Sequence, residues 1–343
     1  MHSTCCACGI DVHAHVVPEN FPQYIGAKVP TDWPSMAPAH ACHRHVMIAG
    51  KSYRTVSDAC WSVPRRLADL PGMGLGLQVV SPMPELLSYW MAAADARQLL
   101  RYINDCMAEM VVQGEGRIAA LGAVPLQDVS LAIRELEYLM KTLGFAGVEI
   151  GSNVNGVPIG APQFDAFFEA CETMGAAVFV HALRPAGMER LVGPAPLQQV
   201  LGYPGDVGLA AASVITTNLM LRRPALRIAF SHGGGTLASL LPRLQQGWQV
   251  FPALQESIEA SPFEQARRLF YDTLVFDETM LGHLVERFGA SQLLIGTDYP
   301  FNFHERSPVA RIEVAGLDEH TVAALVHRNA ERYLGLKTKE TNP

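Results

Sequence analysis

A chain of 343 residues with 49% hydrophobic and 17% charged side chains has ample apolar material for a core, which excludes wholesale disorder. Its 26 Lys and Arg against 33 Asp and Glu give a net charge of −7, with no basic run, so a nucleic-acid partner is not expected. The 29 Gly and 23 Pro follow no three-residue repeat, which excludes a collagen-like fibre, and the longest nearly apolar stretch, 208–221, falls short of the ~20 residues that cross a bilayer.

In chain order, the amino terminus shows no basic segment followed by an apolar stretch, so no secretory signal is expected and the cytoplasm is the expected location. Cys5, Cys6 and Cys8 crowd this end without the paired C-x-x-C spacing of a zinc ribbon, and with seven Cys in all they read as reduced, unpaired thiols. Eight short β-rich runs then recur with helical stretches between them, at 9–12, 76–80, 118–124, 147–150, 177–180, 227–230, 269–271 and 292–295. Several are almost wholly apolar, as strands covered on both faces must be. After the second run, Leu99, Ile103, Met107 and Met110 keep the 3.6-residue period of a helix packed on one face. Asp128 is placed to cap the helix that holds Ile133, Leu136 and Leu139, and Gly144 or Gly147 to end it. The stretch 208–221, interrupted by Ser213, Thr216, Thr217 and Asn218, reads as a buried helix.

Eight strand-helix pairs in this order predict a single (β/α)₈ barrel over residues 1–336, with its active site at the carboxyl ends of the strands. Two stretches are too long for barrel loops. Residues 16–70 form an insertion after the first strand with an expected hairpin, His45–Ile48 and Ser52–Arg54 around Ala49-Gly50-Lys51, and read as a lid. Residues 183–205, rich in Pro and Gly, form a long loop after the fifth strand, and 337–343 read as a tail.

His13 and His15, two apart at the end of the first strand, point to the same side of an extended chain and can reach one metal ion. Three more apolar strands end in His181, His232 and Asp298. In a barrel these ends converge, and a buried imidazole or carboxylate there is costly unless paired or metal-bound. Three imidazoles and a carboxylate suit Zn²⁺, or another borderline divalent ion, with a position left for water. The residues by themselves leave it open whether His232 is a ligand. The fourth strand ends Glu149-Ile150-Gly151 without the lysine that bridges two metals in many barrel hydrolases, which points to one metal. Glu149 itself reads as a paired strand carboxylate, with an extra ligand or a proton carrier as the alternative. His40, Cys42, His43 and His45 resemble a zinc cluster, but their spacings fit no closed structural site.

The segments 10–15, His181, Ser231-His232-Gly233-Gly234-Gly235 and Gly296-Thr297-Asp298-Tyr299-Pro300-Phe301 together resemble the amidohydrolase-related family of 2-amino-3-carboxymuconate 6-semialdehyde decarboxylase, over nearly the whole chain. The resemblance implies one zinc held by His13, His15, His181 and Asp298, with His232 as acid/base. It implies that Arg54, on the second strand of the lid hairpin, grips a substrate carboxylate. It further implies that Arg243, eleven residues after His232, does so across the interface of a homodimer. Where the family follows its fifth-strand His with Pro and Trp, this chain reads Ala182-Leu183-Arg184-Pro185, which leaves metal binding untouched and puts substrate identity in question. Arg184 is a further candidate anion contact, and Phe301 a candidate flat surface for substrate. The implied activity is a zinc-dependent, cofactor-free, non-oxidative decarboxylation of a small anionic acid, either a muconate semialdehyde or a hydroxylated aromatic or heteroaromatic acid. The competing reading is a hydrolase, lactonase or hydratase using the same zinc-activated water.

Overall fold

The computed structural model describes residues 8–336, so the expectations for Cys5, Cys6 and the 337–343 tail lie outside the described residues. Among the described residues there are thirteen strands: β1 (Gly9–Val16), β2 (Ser35–Pro38), β3 (His43–Ile48), β4 (Lys51–Ser57), β5 (Leu75–Pro82), β6 (Ile118–Ala123), β7 (Gly147–Gly151), β8 (Asn153–Val154), β9 (Val157–Pro158), β10 (Ala177–His181), β11 (Arg227–Phe230), β12 (Phe270–Asp272) and β13 (Leu293–Leu294). Eight of them form one parallel sheet in the order β1-β5-β6-β7-β10-β11-β12-β13. Bridges Asp11 to Ile295 and Ala14 to Tyr299 join the last strand back to the first, closing the barrel. All eight β-rich runs expected from the sequence fall on these eight strands.

A cluster comprising Ile10, Val12, Val79, Leu121, Phe179, Ala229, Phe270 and Leu294 draws on seven of the eight strands and therefore fills the barrel's interior. Tyr333 and Leu334, on the helix Asn329–Leu334, close it from one side. A larger cluster packs the surrounding helices on the sheet's outer face. The helix Ala93–Gln113 buries Leu99, Ile103, Met107 and Met110, the stripe its period dictates. Asp128 caps Val129–Tyr138 by accepting from the Leu131 amide, and Gly144 follows in the left-handed conformation. The apolar stretch 208–221 is not one buried helix. It lies in Tyr203–Thr216 and Leu219–Arg222, separated where Asn218 turns left-handed at φ 59°, and Leu209 on the first is 64% exposed. Pro204 and Gly205, assigned above to the loop, lie in the first turn of Tyr203–Thr216.

The hairpin in the insertion after β1 forms as β3 and β4, joined through Ala49 and Gly50 with φ of 53° and 72°, the positive pair that a two-residue hairpin turn demands. The third, antiparallel strand β2 was not expected from sequence. Arg54, opposite Val46 on β4, faces the barrel mouth at the rim of the cavity over the strand ends.

Candidate active site

β1 continues through Val16, so both histidines of His13-Ala14-His15 stand on the strand itself and are fully buried. Their two-residue spacing brings the Nε2 atoms to 3.1 Å of each other. Asp298 Oδ1 lies 3.1 Å from His15 Nε2 and 3.6 Å from His13 Nε2. With His181 these form the one group among the described residues whose ligand atoms lie close enough to hold an ion, all within 4.8 Å of one another. The hydrogen bonds behind the rings decide which nitrogens face inward. His13 Nδ1 lies 2.7 Å from Asp272 Oδ2, His15 Nδ1 3.1 Å from the Pro82 carbonyl and His181 Nδ1 2.8 Å from the Ala182 carbonyl. Protons on all three Nδ1 atoms leave three Nε2 lone pairs converging, and His181 Nε2 is buried with no partner of its own. Lone pairs at such separations repel unless a cation stands between them, and ~3.3 Å is the edge of a tetrahedron with the ~2.0–2.1 Å bonds of nitrogen-bound zinc. The donor set fits a divalent ion.

The charges agree. Burial opposes ionisation of Asp298, yet the His15 and His13 imidazoles hold its carboxyl below the usual range. Burial likewise works against a charged His13, but the Asp272 carboxylate outweighs it and raises the imidazole to about 9, so that without an ion a proton takes its place. Burial and the neighbouring imidazoles keep His181 neutral, well below its ordinary value.

His232 is not in that ligand group, although its ring lies as close to His181 as the ligand rings lie to one another. Its ring centroid is 5.0 Å from that of His181 and 5.5 Å from that of His13, and Ser231 Oγ engages its Nδ1 at 3.1 Å. Burial and the His13 charge lower its pKa to about 4, leaving a neutral imidazole. It opens a run of positive φ, 54° at His232 and then 63°, 72° and 58° at Gly233, Gly234 and Gly235. The glycines are required by space as well as by φ: a Cβ on Gly235 would stand 1.9 Å from the Pro204 carbonyl oxygen.

Several residues that build the site were missed by the sequence reading. Asp11 accepts from Thr297 Oγ1 at 2.7 Å, the Thr297 amide at 3.1 Å and Gln78 Nε2 at 3.0 Å, tying β1 to the segment that carries Asp298. Gln78 in turn accepts from the fully buried Arg66 at 2.7 Å, and Arg66 donates a second hydrogen bond to the His15 carbonyl. Asp272, at the end of β12, is the partner of His13. The rule that found His181 and His232, a polar residue closing an apolar strand, applies equally to Asp272. Glu149 departs from its expected pairing: neither carboxyl oxygen has a hydrogen-bond partner, and the nearest basic atom, His15 Nδ1, is 3.8 Å away. Burial raises it to about 8.

Above the ligands lies a cavity of about 300 Å³ lined by His15, His181, His232 and Asp298 on its floor and by Tyr53, Arg54, Tyr203 and Phe301. Arg54 has no carboxylate partner among the described residues and rests over the Phe301 ring at 4.2 Å. Phe301 also stacks on His15 at 5.3 Å, so its contacts are with protein groups at the site as well as with the cavity. Arg184 reaches the same cavity but is already engaged. Its Nε and Nη2 donate to Glu85 Oε1 at 3.1 and 2.9 Å, and its guanidinium lies 3.1 Å over Trp90. Arg243 does not line this cavity; it stands exposed on the helix Leu237–Val250.

A profile of the amidohydrolase family matches residues 10–336. The chain is 34% identical over 332 residues to the 2-amino-3-carboxymuconate-6-semialdehyde decarboxylase of Dictyostelium discoideum, spanning 95% of this chain and 91% of that one. The solved structure of 5-carboxyvanillate decarboxylase from Sphingomonas paucimobilis superposes with a TM-score of 0.72 at 27% identity, covering 80% of this chain and 83% of that one. A dihydroxybenzoic acid decarboxylase from Polaromonas, solved with bound manganese and the inhibitor 2-nitroresorcinol, shares the fold with a TM-score of 0.71 at 22% identity, covering 79% and 85%.

Proposed function

The chain belongs to the amidohydrolase family, and from that premise we propose that it is a metal-dependent, non-oxidative decarboxylase of a small anionic acid, a muconate semialdehyde or a hydroxylated aromatic or heteroaromatic acid. The observation that carries this reading is one unpaired arginine, Arg54, and one neutral imidazole, His232, facing the same small cavity as His15, His181 and Asp298 of the four-residue ligand set. The relatives named above, all decarboxylases, support it.

His13, His15, His181 and Asp298 would hold the ion, which we read as zinc from three imidazoles and one carboxylate. Bound there, it supplies a Lewis acid that stabilises negative charge as the C–C bond breaks. Arg54 offers a planar fork for a carboxylate, with two charge-assisted hydrogen bonds that orient the acid over the floor of the cavity. His232, with Nδ1 held by Ser231, has Nε2 free to take a proton from a substrate hydroxyl. As CO₂ leaves, the bonding electron pair stays on the ring or chain carbon, and His232 Nε2 returns the proton there.

We read the active unit as a homodimer working in the cytoplasm, with Arg243 entering the partner's cavity. Support comes from Leu209, Leu240, Val250 and Phe251, each about half exposed or more, which share an apolar groove with Arg243 on the outer face. Mixing Arg243→Ala with His232→Ala protomers restores activity if this is right; verified mixed dimers without recovery would remove it.

The deciding experiment strips the protein of metal, reloads it with zinc or with manganese, and follows CO₂ release from 2-amino-3-carboxymuconate semialdehyde, hydroxybenzoates, pyridine carboxylates and pyrimidine carboxylates. Release that vanishes with His232→Ala is the expected result. A metal-loaded protein silent on every acid but active on esters or lactones overturns the reading.

A further inference from the structure

One carboxylate touches both halves of the site. Asp272, fully buried at the end of β12, receives His13 Nδ1 at 2.7 Å on Oδ2. Its other oxygen, Oδ1, accepts from the Gly233 amide at 2.7 Å and the Leu274 amide at 3.1 Å. His13 is one of the four clustered ligands, and Gly233 is the residue directly after His232. A third segment holds the carboxylate in place: a Cβ on Gly296 would stand 2.7 Å from Asp272 Cβ and 2.8 Å from Oδ2, so only glycine fits beside it.

We propose that Asp272 is a positioning residue that aligns two parts of the site at once, fixing His13 as a metal ligand and holding the turn that aims His232. Resting on the assignment of His13, His15, His181 and Asp298 as a metal site, the inference follows from what each oxygen does. An acceptor at Nδ1 keeps the His13 proton on that nitrogen, and Nε2 keeps the lone pair that faces the cluster. The second oxygen binds an amide inside a run of four consecutive positive-φ residues, the first of which, His232, is not a glycine. Such a conformation is disfavoured for a residue with a Cβ and persists only when its surroundings hold it. The Gly233 amide is held by Asp272. The position of the ion's ligand and the position of the proton carrier are therefore set by one side chain that touches neither substrate nor ion.

Asp272→Asn separates the two roles. An asparagine with its oxygen towards Gly233 and Leu274 keeps both amide bonds, but its NH₂ now faces His13 Nδ1 and drives the imidazole proton to Nε2. With full-length, metal-stripped protein titrated with zinc alone against a coloured chelator, the variant should bind about 10- to 100-fold more weakly than the parent. Asp272→Ala releases the turn as well. At saturating zinc it should lose kcat with KM unchanged, beyond any loss in Asp272→Asn. Long-range ¹H–¹⁵N spectra of the zinc-loaded, histidine-labelled parent, with His13 identified by its loss in His13→Gln, should show its one proton on Nδ1, and this readout stands even if the variants do not fold. A parent that binds zinc tightly with an Asp272→Asn variant matching it within twofold, or a zinc-loaded parent whose His13 carries its proton on Nε2, overturns the role of Asp272. A parent that binds no zinc overturns instead the metal site on which the inference rests.

Discussion

The floor and the roof of the cavity are built on different terms. On the floor, His13, His15 and His181 are buried in barrel strands, and each has its outer nitrogen committed to a protein acceptor. On the roof, Arg54 sits half-buried on β4, in a three-stranded sheet of the insertion, and Tyr53 beside it is 39% exposed. The floor is fixed by the same packing that closes the barrel, whereas the roof rests on short strands whose side chains mostly meet water. In such a division the chemistry is shared across a family and the substrate is chosen by the part that can change without unfolding the rest.

The sharpest way to break this comparison is to attack the floor. His13→Ala combined with His15→Ala should remove bound metal and all turnover together, as read by metal analysis and CO₂ release; a variant that keeps either would mean that the ligands lie elsewhere. His232→Ala should retain its metal while turnover falls by about 10²–10⁴. Loss of the ion in that variant would make His232 a ligand.

Glu149 tests how the floor tolerates an unpartnered acid. In the folded, metal-free protein it stays protonated up to about pH 8, whereas in the unfolded chain it ionises above its ordinary 4.5. The unfolded state therefore binds fewer protons across this window, and stability falls as pH rises from about 4.5 through 8. Glu149→Gln abolishes that loss. Urea unfolding of metal-free protein should show little difference in pH dependence below pH 4.5 and a variant gain approaching several kcal/mol, on the order of 5, by pH 9. A gap that does not widen with pH would show that Glu149 is paired.

The roof should respond more mildly. Arg54→Ala should raise KM by roughly 10- to 100-fold, the worth of one charge-assisted carboxylate contact, with a smaller change in kcat. Arg184→Ala, whose fork is already taken by Glu85, should change KM by less than about threefold, as expected for a half-exposed pair. A larger effect of Arg184 than of Arg54 on KM would reverse the assignment of the anion site.

The division also explains what the sequence discloses. Barrel strands are written in apolar runs, and the histidines and Asp298 interrupt or end those runs, so pattern and chemistry coincide at the same positions. Asp11, Gln78, Arg66 and Thr297 act through one another across 286 positions or fewer of chain, and no spacing announces such a network. Arg66 lies without any marking pattern in the 16–70 insertion until the fold buries it against the His15 carbonyl. β2, four residues ending in Pro38, carries too little pattern to be read as a strand at all. The break at Asn218 was visible as a polar interruption, but only the left-handed turn shows that one helix has become two.

The barrel is closed by pairing its first strand with its last, at Asp11 with Ile295 and Ala14 with Tyr299. Two of the four ligands lie on that first strand and one, Asp298, just beyond the last, so the seam of the barrel runs through the site. A ribosome releasing this chain therefore finishes His13 and His15 nearly the whole length before the carboxylate that completes their set. Ion capture becomes a late event that reports on closure of the whole barrel, and a nascent chain stalled before residue 293 has histidines to offer but no finished place to keep an ion.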